Sequence, residues 1–445
     1  MKSENIAAIS TGAVASGVGV IRISGDTPLE VAKKVFKPIG KVKVEEFTPN
    51  VMYTGEILAD GFTDFGMCVY FKAPKSFTGE DTIEIHCHGG LAITRGILKN
   101  ILNNGARLAN NGEFTKRAFM NGKLSLSSAE GLIDMINSES ISGVKAGYYL
   151  YREKLTNEVN AIQDLLLDAI SEIDVDMDFP EEDLEVKSTK NTVKWLTESI
   201  ERIQKLLSTF RVGRTLKNGV KVGIVGKPNT GKSSLLNALL NYDKAIVSSV
   251  AGTTRDIVEG SIDINGVRFY FSDTAGIRES DDVIEELGVG LSKKIVDESD
   301  LVLFIMASDD ITEEDNAIYN LVKDKNLLTV INKTDKCDVK DDRANIYVSA
   351  LTKDNIEALR ETIFDKSVGS GIDLSGDFLC EERHFYALER AENRLTQALN
   401  GVNKVPLDIL AIDVKAGWDA LGEISGKTAT EDIINNIFSK FCVGK

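Results

Sequence analysis

The chain has 445 residues, too many for a single hydrophobic core, and suggests roughly two to four domains. Hydrophobic residues make up 42% of it and charged residues 27%, which is ordinary for a globular protein, and no apolar run approaches the roughly 20 residues needed to span a bilayer. The formal net charge of −16 excludes a protein that coats nucleic acid non-specifically, so an RNA contact needs a local basic patch or a partner.

The start of the chain and its cysteines predict a cytoplasmic protein without a membrane segment. The opening residues, MKSENIAAIS, lack the apolar core of a signal peptide, and Glu4 with no arginine argues against a mitochondrial presequence. The cysteines are scattered and form no CxxC pair, which fits a reducing compartment better than a disulfide framework. They are Cys68, Cys87, Cys337, Cys380 and Cys442.

The chain divides into regions of different pattern. Residues 1–118 predict an α+β domain, because short β-like runs alternate with glycine-rich turns. These runs are Val18–Ile23, Met67–Phe71 and Thr82–His86. Residues 119–214 and 373–445 are helical, whereas residues 215–372 alternate strand-like and helical runs, as a parallel α/β sheet does. The simplest topology is an all-α helical domain interrupted by an inserted α/β domain.

His86 and His88 lie two residues apart on a predicted strand and therefore face the same side. A zinc site that also includes Cys87 is one interpretation of this spacing. Cys87 would point to the opposite side, however, and no third ligand cluster is evident. Packing beside Gly89 and Gly90 is the better interpretation of this segment.

Two apolar stripes in residues 119–214 recur at spacings of three and four, as amphipathic helices do. The stripes are Leu155, Val159, Ile162, Leu166, Ile170 and Ile173, and Leu196, Ile200, Ile203, Leu207 and Phe210. Pro180 and the acidic run Asp174–Glu185 are predicted to break the helix between them. We interpret these acids as a solvated loop rather than a metal site. Later helices are predicted at Arg383–Leu399, Ile409–Ile424 and Glu431–Phe441.

The strongest motif is GKPNTGKS at Gly226–Ser233, which follows the apolar run Val220–Val225 and opens the predicted helix Ser234–Leu240. Strand, glycine-rich turn and helix start are the context in which backbone N–H groups converge on phosphate oxygens. Lys232 can reach the β and γ phosphates, and the Ser233 hydroxyl can ligate Mg²⁺. The phosphate-binding candidates are Asn229, Thr230, Gly231, Lys232, Ser233 and Ser234.

Further motifs identify the nucleotide as GTP or GDP. Gly252–Asp256 offers a second Mg²⁺ ligand, best Thr254, and Asp273–Gly276 offers a carboxylate near Mg²⁺ and an N–H for the γ phosphate. Asn332–Asp335 ends in a carboxylate that accepts from guanine N1–H and N2–H₂, which adenine cannot supply. Ser349–Leu351 can contact guanine O6 through a backbone N–H. The candidates are Thr253, Thr254, Asp273, Thr274, Ala275, Gly276, Asn332, Lys333, Asp335, Ser349 and Ala350.

Catalysis must differ from that of Ras-like proteins. Ile277 stands where those proteins carry the glutamine that orients the attacking water. Acidic residues follow it, and each one alone reads as a solvated acid: Glu279, Asp281, Asp282, Glu285 and Glu286. The Asn229 side chain can ligate a monovalent cation beside the phosphates or make a structural hydrogen bond within its loop, and the residues alone leave both open.

Motifs outside the GTPase segment carry a family resemblance over all 445 residues. They are GVGVIRISG (Gly17–Gly25), SFTGEDTIEIHCHGG (Ser76–Gly90), NGEFTKRAFMNGKLSLSSAE (Asn111–Glu130) and FCVGK (Phe441–Lys445). With the nucleotide motifs, they make the chain resemble the MnmE (TrmE) family of tRNA-modification GTPases. The resemblance implies an N-terminal folate-binding domain, a helical domain and an inserted Ras-like GTPase domain.

The resemblance also implies an activity and partners. Family members form homodimers through the N-terminal domain and act with the FAD protein MnmG (GidA) in a heterotetramer or larger complex. The pair adds an aminomethyl or carboxymethylaminomethyl group at C5 of the wobble uridine of tRNA. A tetrahydrofolate derivative, 5-formyl- or 5,10-methylene-tetrahydrofolate, is the implied cofactor.

Position by position, the resemblance puts folate ligands at Arg22, Glu84, Lys123 and Lys445. It places K⁺ on the Asn229 side chain, on Thr253 and on two backbone ligands, Ser248 and Val250, with Ser248 standing where threonine is common. The water-orienting acid falls on Glu285, which joins Lys232 in the catalytic set. Cys442 belongs to the C-terminal motif and is a third catalytic candidate, either as a nucleophilic or redox thiol or, alternatively, a buried structural one.

Two other functions share the same GTPase motifs. One is a GTP-timed factor that docks on ribosomal RNA, as Era-like GTPases do. Such proteins append a basic RNA-binding module, whereas the C-terminal region here is helical and not notably basic. The other is a folate enzyme with a regulatory GTPase domain, which would predict folate turnover by this chain alone.

Overall fold

The protein is described by a computed structural model that covers residues 3–178, 185–240, 260–273, 295–370 and 377–445. Its contacts divide it into two compact units. The first unit comprises Met1–Ile133, Leu150–Arg202 and Tyr386–Lys445. The second comprises Asp134–Tyr149 and Ile203–Phe385.

Strands and helices are numbered in chain order. The strands are β1 (Ile6–Ile9), β2 (Ser16–Gly25), β3 (Phe36–Pro38), β4 (Met52–Leu58), β5 (Thr63–Phe71), β6 (Asp81–Gly89), β7 (Arg107–Leu108), β8 (Val220–Val225), β9 (Gly260–Ile264), β10 (Val267–Asp273), β11 (Leu301–Ala307), β12 (Leu327–Asn332) and β13 (Ile346–Tyr347). The helices are α1 (Pro28–Val35), α2 (Leu91–Asn103), α3 (Glu113–Met120), α4 (Leu126–Asn137), α5 (Ile141–Tyr151), α6 (Lys154–Asp178), α7 (Glu185–Ser208), α8 (Phe210–Asn218), α9 (Lys232–Leu240), α10 (Glu313–Val322), α11 (Ile356–Ser367), α12 (Glu382–Gly401), α13 (Leu407–Ser425) and α14 (Glu431–Ser439).

The first unit contains a seven-stranded sheet in the order β3-β4-β5-β6-β2-β1-β7. Its neighbouring strands are antiparallel except for β1 and β7. One face packs an apolar core against α1 and α2, and this face carries Ile21 and Ile23 of β2 opposite Ile85 and Ile83 of β6. Because side chains alternate along a strand, Arg22 and Glu84 lie on the other face, directly opposite each other.

Helices complete the first unit, and α6 packs along α13. The predicted stripe of α6 is buried at Leu155, Val159, Ile162, Leu166 and Ile173. The helix break predicted over Asp174–Glu185 is wrong for residues 174–178, because α6 continues to Asp178. Aspartate costs a helix only about 0.7 kcal/mol or less on a solvated face, so a run of acids need not end it. Pro180 lies outside the described residues.

The second predicted stripe is divided between two helices. It was expected to run through Phe210, but α7 ends at Ser208 and Phe210 begins α8. The hydroxyl of Thr209 donates to the Leu206 carbonyl at 2.7 Å and accepts from the Leu379 N–H at 3.0 Å. A threonine side chain that bonds the backbone in this way competes with the helix ladder.

The second unit contains a six-stranded sheet in the order β13-β12-β11-β8-β10-β9, parallel except for β9 against β10. Strands β8, β11 and β12 are almost continuously buried, as expected for parallel strands covered on both faces. Their carboxyl ends lie side by side, so the loops after them meet at one edge of the sheet. The predicted parallel α/β sheet is thereby confirmed.

Among the described residues, no helix is both long and apolar enough to cross a membrane.

Candidate functional site

The phosphate loop Gly226–Ser233 joins β8 to α9, as the motif predicts. Two residues in it adopt left-handed backbone conformations, Asn229 with φ +64° and Gly231 with φ +88°. A side chain at Gly231 would also collide with Asn332 Nδ2, so glycine is needed for space as well as for conformation. The loop is therefore held close to the segment that carries the predicted base-reading motif.

Lys232 is buried at the start of α9 and folds back over its own loop. Its Nζ donates to the carbonyls of Gly226 at 2.8 Å and Lys227 at 2.9 Å. The same Lys227 carbonyl accepts from the Thr230 hydroxyl at 3.1 Å. Ser233 and Ser234 are exposed in the first turn of α9, and the start of a helix favours anions.

Asn332 connects three of the predicted motifs. Its Nδ2 donates to the Thr230 carbonyl in the phosphate loop at 3.0 Å, and its Oδ1 accepts from the Ala350 N–H at 3.0 Å. The Ala350 N–H, one of the backbone donors in the segment Ser349–Leu351 predicted to contact guanine O6, is thus engaged within the protein. Asp335 and Ser349 are also adjacent, since the Ser349 hydroxyl donates to the Asp335 carboxylate at 2.5 Å.

Several predicted residues lie outside the described part of the chain: Ser248, Val250, Thr253, Thr254, Thr274, Ala275, Gly276 and Glu285. Asp273 ends β10, where its backbone is in register with Ile224 of β8. Asn229 is exposed, and among the described residues no hydrogen bond engages its side chain, so the structural alternative gains no support there.

Sequence reasoning missed the turn that follows β11. Ser308 donates through its hydroxyl to the Lys333 carbonyl at 2.6 Å, and the Asp309 carboxylate lies 3.6 Å from Lys333 Nζ. Asp310 lies 3.1 Å from the Nζ of Lys227 in the phosphate loop. The available signal was a polar run directly after a fully buried strand, which marks the binding edge of a parallel sheet.

A second candidate site lies on the face of the first unit's sheet that is opposite α1 and α2. The Arg22 guanidinium contacts the Glu84 carboxylate at 2.8 Å and stacks over the rings of Phe77 and Phe114. Burial raises the pKa of Glu84, but the His86 ring, whose Nε2 lies 3.6 Å from the carboxylate, and the charge of Arg22 outweigh burial, so the pKa lies below its ordinary value. This carboxyl is therefore ionised at neutral pH.

The other two predicted folate ligands lie in the same unit but not in direct contact with this pair. Lys123 donates to the Pro74 carbonyl at 3.0 Å, in the loop that also carries Phe77. Lys445 follows Gly444, which packs so closely on the Ile9 carbonyl that a Cβ would collide with it. Ile9 ends β1, the strand beside Arg22.

The cysteine alternatives are decided by exposure. Cys442 is exposed, so the prediction of a buried structural thiol is wrong. Cys87 is buried in the sheet core, where burial raises the pKa of its thiol to about 11, and a neutral thiol is a poor metal ligand. His88 instead bonds Asp64 at 2.6 Å, and no metal-binding cluster occurs within the described ranges.

Comparisons with known proteins cover both units. A family model described as the GTP-binding protein TrmE N-terminus matches residues 5–123, and one described as the MnmE helical domain matches residues 126–442. Two curated relatives are named tRNA modification GTPase MnmE and match with 100% of both chains covered. The relative from Caldicellulosiruptor saccharolyticus is 39% identical over 455 positions, and that from Desulforamulus reducens is 40% identical over 466.

A solved structure resembles part of the chain. A crystal structure of Aquifex aeolicus Era bound to GDP·AlF4⁻ is 32% identical and covers 39% of this chain and 66% of its own. The TM-score of this match is 0.28.

Proposed function

The chain belongs to the MnmE (TrmE) family of tRNA modification GTPases. We propose that it modifies the wobble uridine of tRNA at C5. The added group is aminomethyl or carboxymethylaminomethyl, and the FAD protein MnmG (GidA) is the partner. The carrying observation is that a guanine-nucleotide site and the Arg22–Glu84 pair occur in one chain that relatives match from end to end.

The chain binds and hydrolyses GTP, and we assign roles within that reaction. Lys232 exchanges its loop carbonyls for the β and γ phosphates when nucleotide enters, because an anion is a stronger partner for an ammonium than a carbonyl is. Ser233 and Thr254 would hold Mg²⁺, which would supply positive charge to the phosphates. Asp335 accepts from guanine N1–H and N2–H₂. Asn332 connects the loop Asn332–Lys336, which we call the base loop, to the phosphate loop.

We further propose that K⁺ activates hydrolysis. The exposed Asn229 amide stands at the turn of the phosphate loop, where a cation would add positive charge to the developing transition state. The remaining K⁺ ligands, Ser248, Val250 and Thr253, lie outside the described residues, as does Glu285, the proposed water-orienting acid. Pairing of the GTPase domains of two chains across the nucleotide completes this K⁺ site.

The Arg22–Glu84 pair supports a folate site. Tetrahydrofolate presents ring N–H donors at its pterin end and carboxylates at its glutamate end, so it needs both an acceptor and basic groups. Glu84 is the ionised acceptor, while Arg22, Lys123 and Lys445 are the basic groups. In this assignment the folate supplies the carbon that becomes the C5 methylene.

A homodimer through the N-terminal domain is supported by the same sheet. Large apolar side chains are exposed on the face opposite α1 and α2: Val18, Met52, Phe65 and Met67. Exposed apolar side chains that share one face of a sheet are typical of protein interfaces. All five cysteines are free, in keeping with action in the cytoplasm. The proposed domain limits remain 1–118, 119–214, 215–372 and 373–445.

Reconstitution tests the proposal. The purified chain is incubated with its FAD partner, GTP, K⁺, an ammonium donor, unmodified tRNA and methylene-tetrahydrofolate that carries ¹⁴C in the methylene group. We expect ¹⁴C in the wobble uridine, and no transfer when the chain carries Lys232→Ala. Failure of the wild-type mixture to label tRNA would contradict the proposed reaction while leaving GTP hydrolysis intact.

A further inference from the structure

The turn after β11, Ser308–Asp310, contacts both nucleotide-binding loops. We propose that this turn is a clamp that positions the phosphate loop through Lys227 and the base loop through Lys333, so that both Lys227 and Asp309 are positioning residues for nucleotide binding. The inference rests on guanine-nucleotide binding by the chain and not on the proposed tRNA chemistry.

Lys227 anchors the phosphate loop. Its side chain is only 4% exposed, and its Nζ lies 3.1 Å from Asp310 Oδ2, 3.1 Å from Asp315 Oδ2 and 3.1 Å from Thr312 Oγ1. Burial lowers the pKa of Lys227, but the hydrogen bonds to Asp310 and Asp315 outweigh burial and raise it. The ammonium is therefore charged, and its two carboxylate contacts are charge-assisted.

The anchor at the other end is rigid. Asp315 is fully buried in the first turn of α10, where its Oδ2 also accepts from the Thr312 N–H at 2.8 Å to cap the helix. The Lys227 carbonyl, meanwhile, accepts from the Lys232 ammonium and the Thr230 hydroxyl. Lys227 thus contacts the start of α10 through its side chain and the phosphate-binding Lys232 through its backbone carbonyl.

Asp309 anchors the base loop from the same turn. Its carboxylate lies 2.8 Å from Lys336 Nζ and 3.6 Å from Lys333 Nζ, on either side of the predicted guanine reader Asp335. Ser308 adds two further contacts, because its N–H donates to the Asn332 carbonyl at 2.9 Å and its hydroxyl donates to the Lys333 carbonyl. Lys333 has φ +66°, a conformation that needs such outside support in a non-glycine residue.

The two halves of the clamp predict different defects. Loss of Lys227 loosens the phosphate loop, which contacts groups common to all nucleoside diphosphates. Loss of Asp309 displaces the base loop, which distinguishes guanine from hypoxanthine through the N2 amino group that only guanine has. The ratio of GDP to IDP affinity therefore separates the Asp309 role from a general loss of stability, which would lower both affinities equally. The Lys227 role is separated from a loss of stability by showing that the variant is folded and that arginine at this position retains binding.

The first experiment measures GDP and IDP affinity by calorimetry, with Mg²⁺ present. Because Lys227→Met alone would leave two carboxylates unpaired, Lys227→Met/Asp315→Asn is the main variant, in which the amide retains the helix-capping oxygen. We expect both affinities to fall about tenfold with an unchanged ratio, and Lys227→Arg to retain them. Wild-type affinities in the folded double variant would overturn the Lys227 assignment.

The second experiment uses Asp309→Ala, which removes a partly exposed carboxylate and leaves Lys227 intact. We expect the preference for GDP over IDP to fall about tenfold, with Asp309→Glu restoring part of it. The matched control is Lys325→Met, which breaks the exposed Lys325–Asp297 pair and should change neither affinity. An unchanged preference in a folded Asp309→Ala chain would overturn the base-loop half of the clamp.

Discussion

The Ser349 hydroxyl donates a hydrogen bond to the Asp335 carboxylate at 2.5 Å. A carboxylate has about four lone-pair sites, so this bond fixes the side chain and leaves capacity for a base. The contact joins two motifs that sequence reasoning had assigned separately to guanine recognition. It makes Asp335 a preformed acceptor and therefore a direct target for testing nucleotide specificity.

Asp335→Asn should change the preferred base. The amide presents a donor where guanine N2–H₂ needs an acceptor, whereas xanthine carries a carbonyl oxygen at that position. We expect GDP affinity to fall about 100-fold and XDP to become the better ligand, as measured by equilibrium titration. The exposed neighbour variant Asp338→Asn is the control, and unchanged GDP affinity in Asp335→Asn would show that another group reads the base.

Removal of either member of the Arg22–Glu84 pair should weaken folate binding and spare nucleotide binding. Arg22→Met removes a basic group and Glu84→Gln an ionised acceptor, and we expect at least about a tenfold loss of 5-formyl-tetrahydrofolate affinity from each. Calorimetry with folate and then with GDP separates the two sites. Arg95→Met, on an exposed position of α2, is the control. Full folate affinity in both variants would contradict the proposed site.

Hydrolysis should require Glu285 and K⁺. Glu285→Ala removes the proposed water-orienting carboxylate, so we expect GTP binding to persist while turnover falls by about 100-fold or more. The neighbouring variant Glu286→Ala is the matched control, and replacement of K⁺ by Na⁺ should slow the wild type. Phosphate release assays give the rates. Wild-type turnover in Glu285→Ala would remove this residue from the mechanism.

The stability of the second unit should depend on pH through Asp134. Lys217 contacts both Asp134, at 2.8 Å, and Glu381. Burial, followed by the nearby charge of Glu381, raises the pKa of Asp134 to about 8, although Lys217 opposes the shift. The pKa of Asp134 is higher in the folded chain than in the unfolded chain, so the protonated carboxyl stabilises the folded state. This stabilisation is fully present below about pH 4 and is lost as pH rises through 8.

We therefore expect Asp134→Asn to flatten the decline in melting temperature between pH 5 and pH 8.5. Each kcal/mol corresponds to about 2–4 °C in a domain of this size. Thermal unfolding followed by circular dichroism measures the profile, with the exposed-acid variant Asp324→Asn as control. Identical pH profiles for wild type and Asp134→Asn would mean that this carboxyl does not titrate as described.

Local motifs made the nucleotide site predictable, whereas contacts between distant segments were not. The Gly226–Ser233 loop could be read directly because its strand, turn and helix are contiguous. The Asn332 bridge to Thr230 and the contact of Lys227 with Asp315 join residues 102 and 88 positions apart, and no local pattern specifies such pairs. The polar run Ser308–Asp310 after β11 is the one local pattern that indicates contacts at this edge of the sheet.

Helix limits were less predictable than helix positions. The predicted stripe of α6 is correct, but the helix continues past its predicted end because acids on a solvated face do not stop a helix. The division at Thr209 depends on a bond from Leu379, about 170 residues later in the chain. Similarly, Arg22 and Glu84 became a pair only through the register of β2 and β6. Tertiary pairing of this kind overrides local propensity.

The most direct test of the account is mass spectrometry of tRNA nucleosides from cells that lack this gene. We predict loss of the C5-aminomethyl wobble uridines, restoration by the wild-type gene, and no restoration by Glu285→Ala. Unchanged tRNA nucleosides in the deletion strain would contradict the proposed function, and a GTPase that acts on another target, such as the ribosome, would then be the better account.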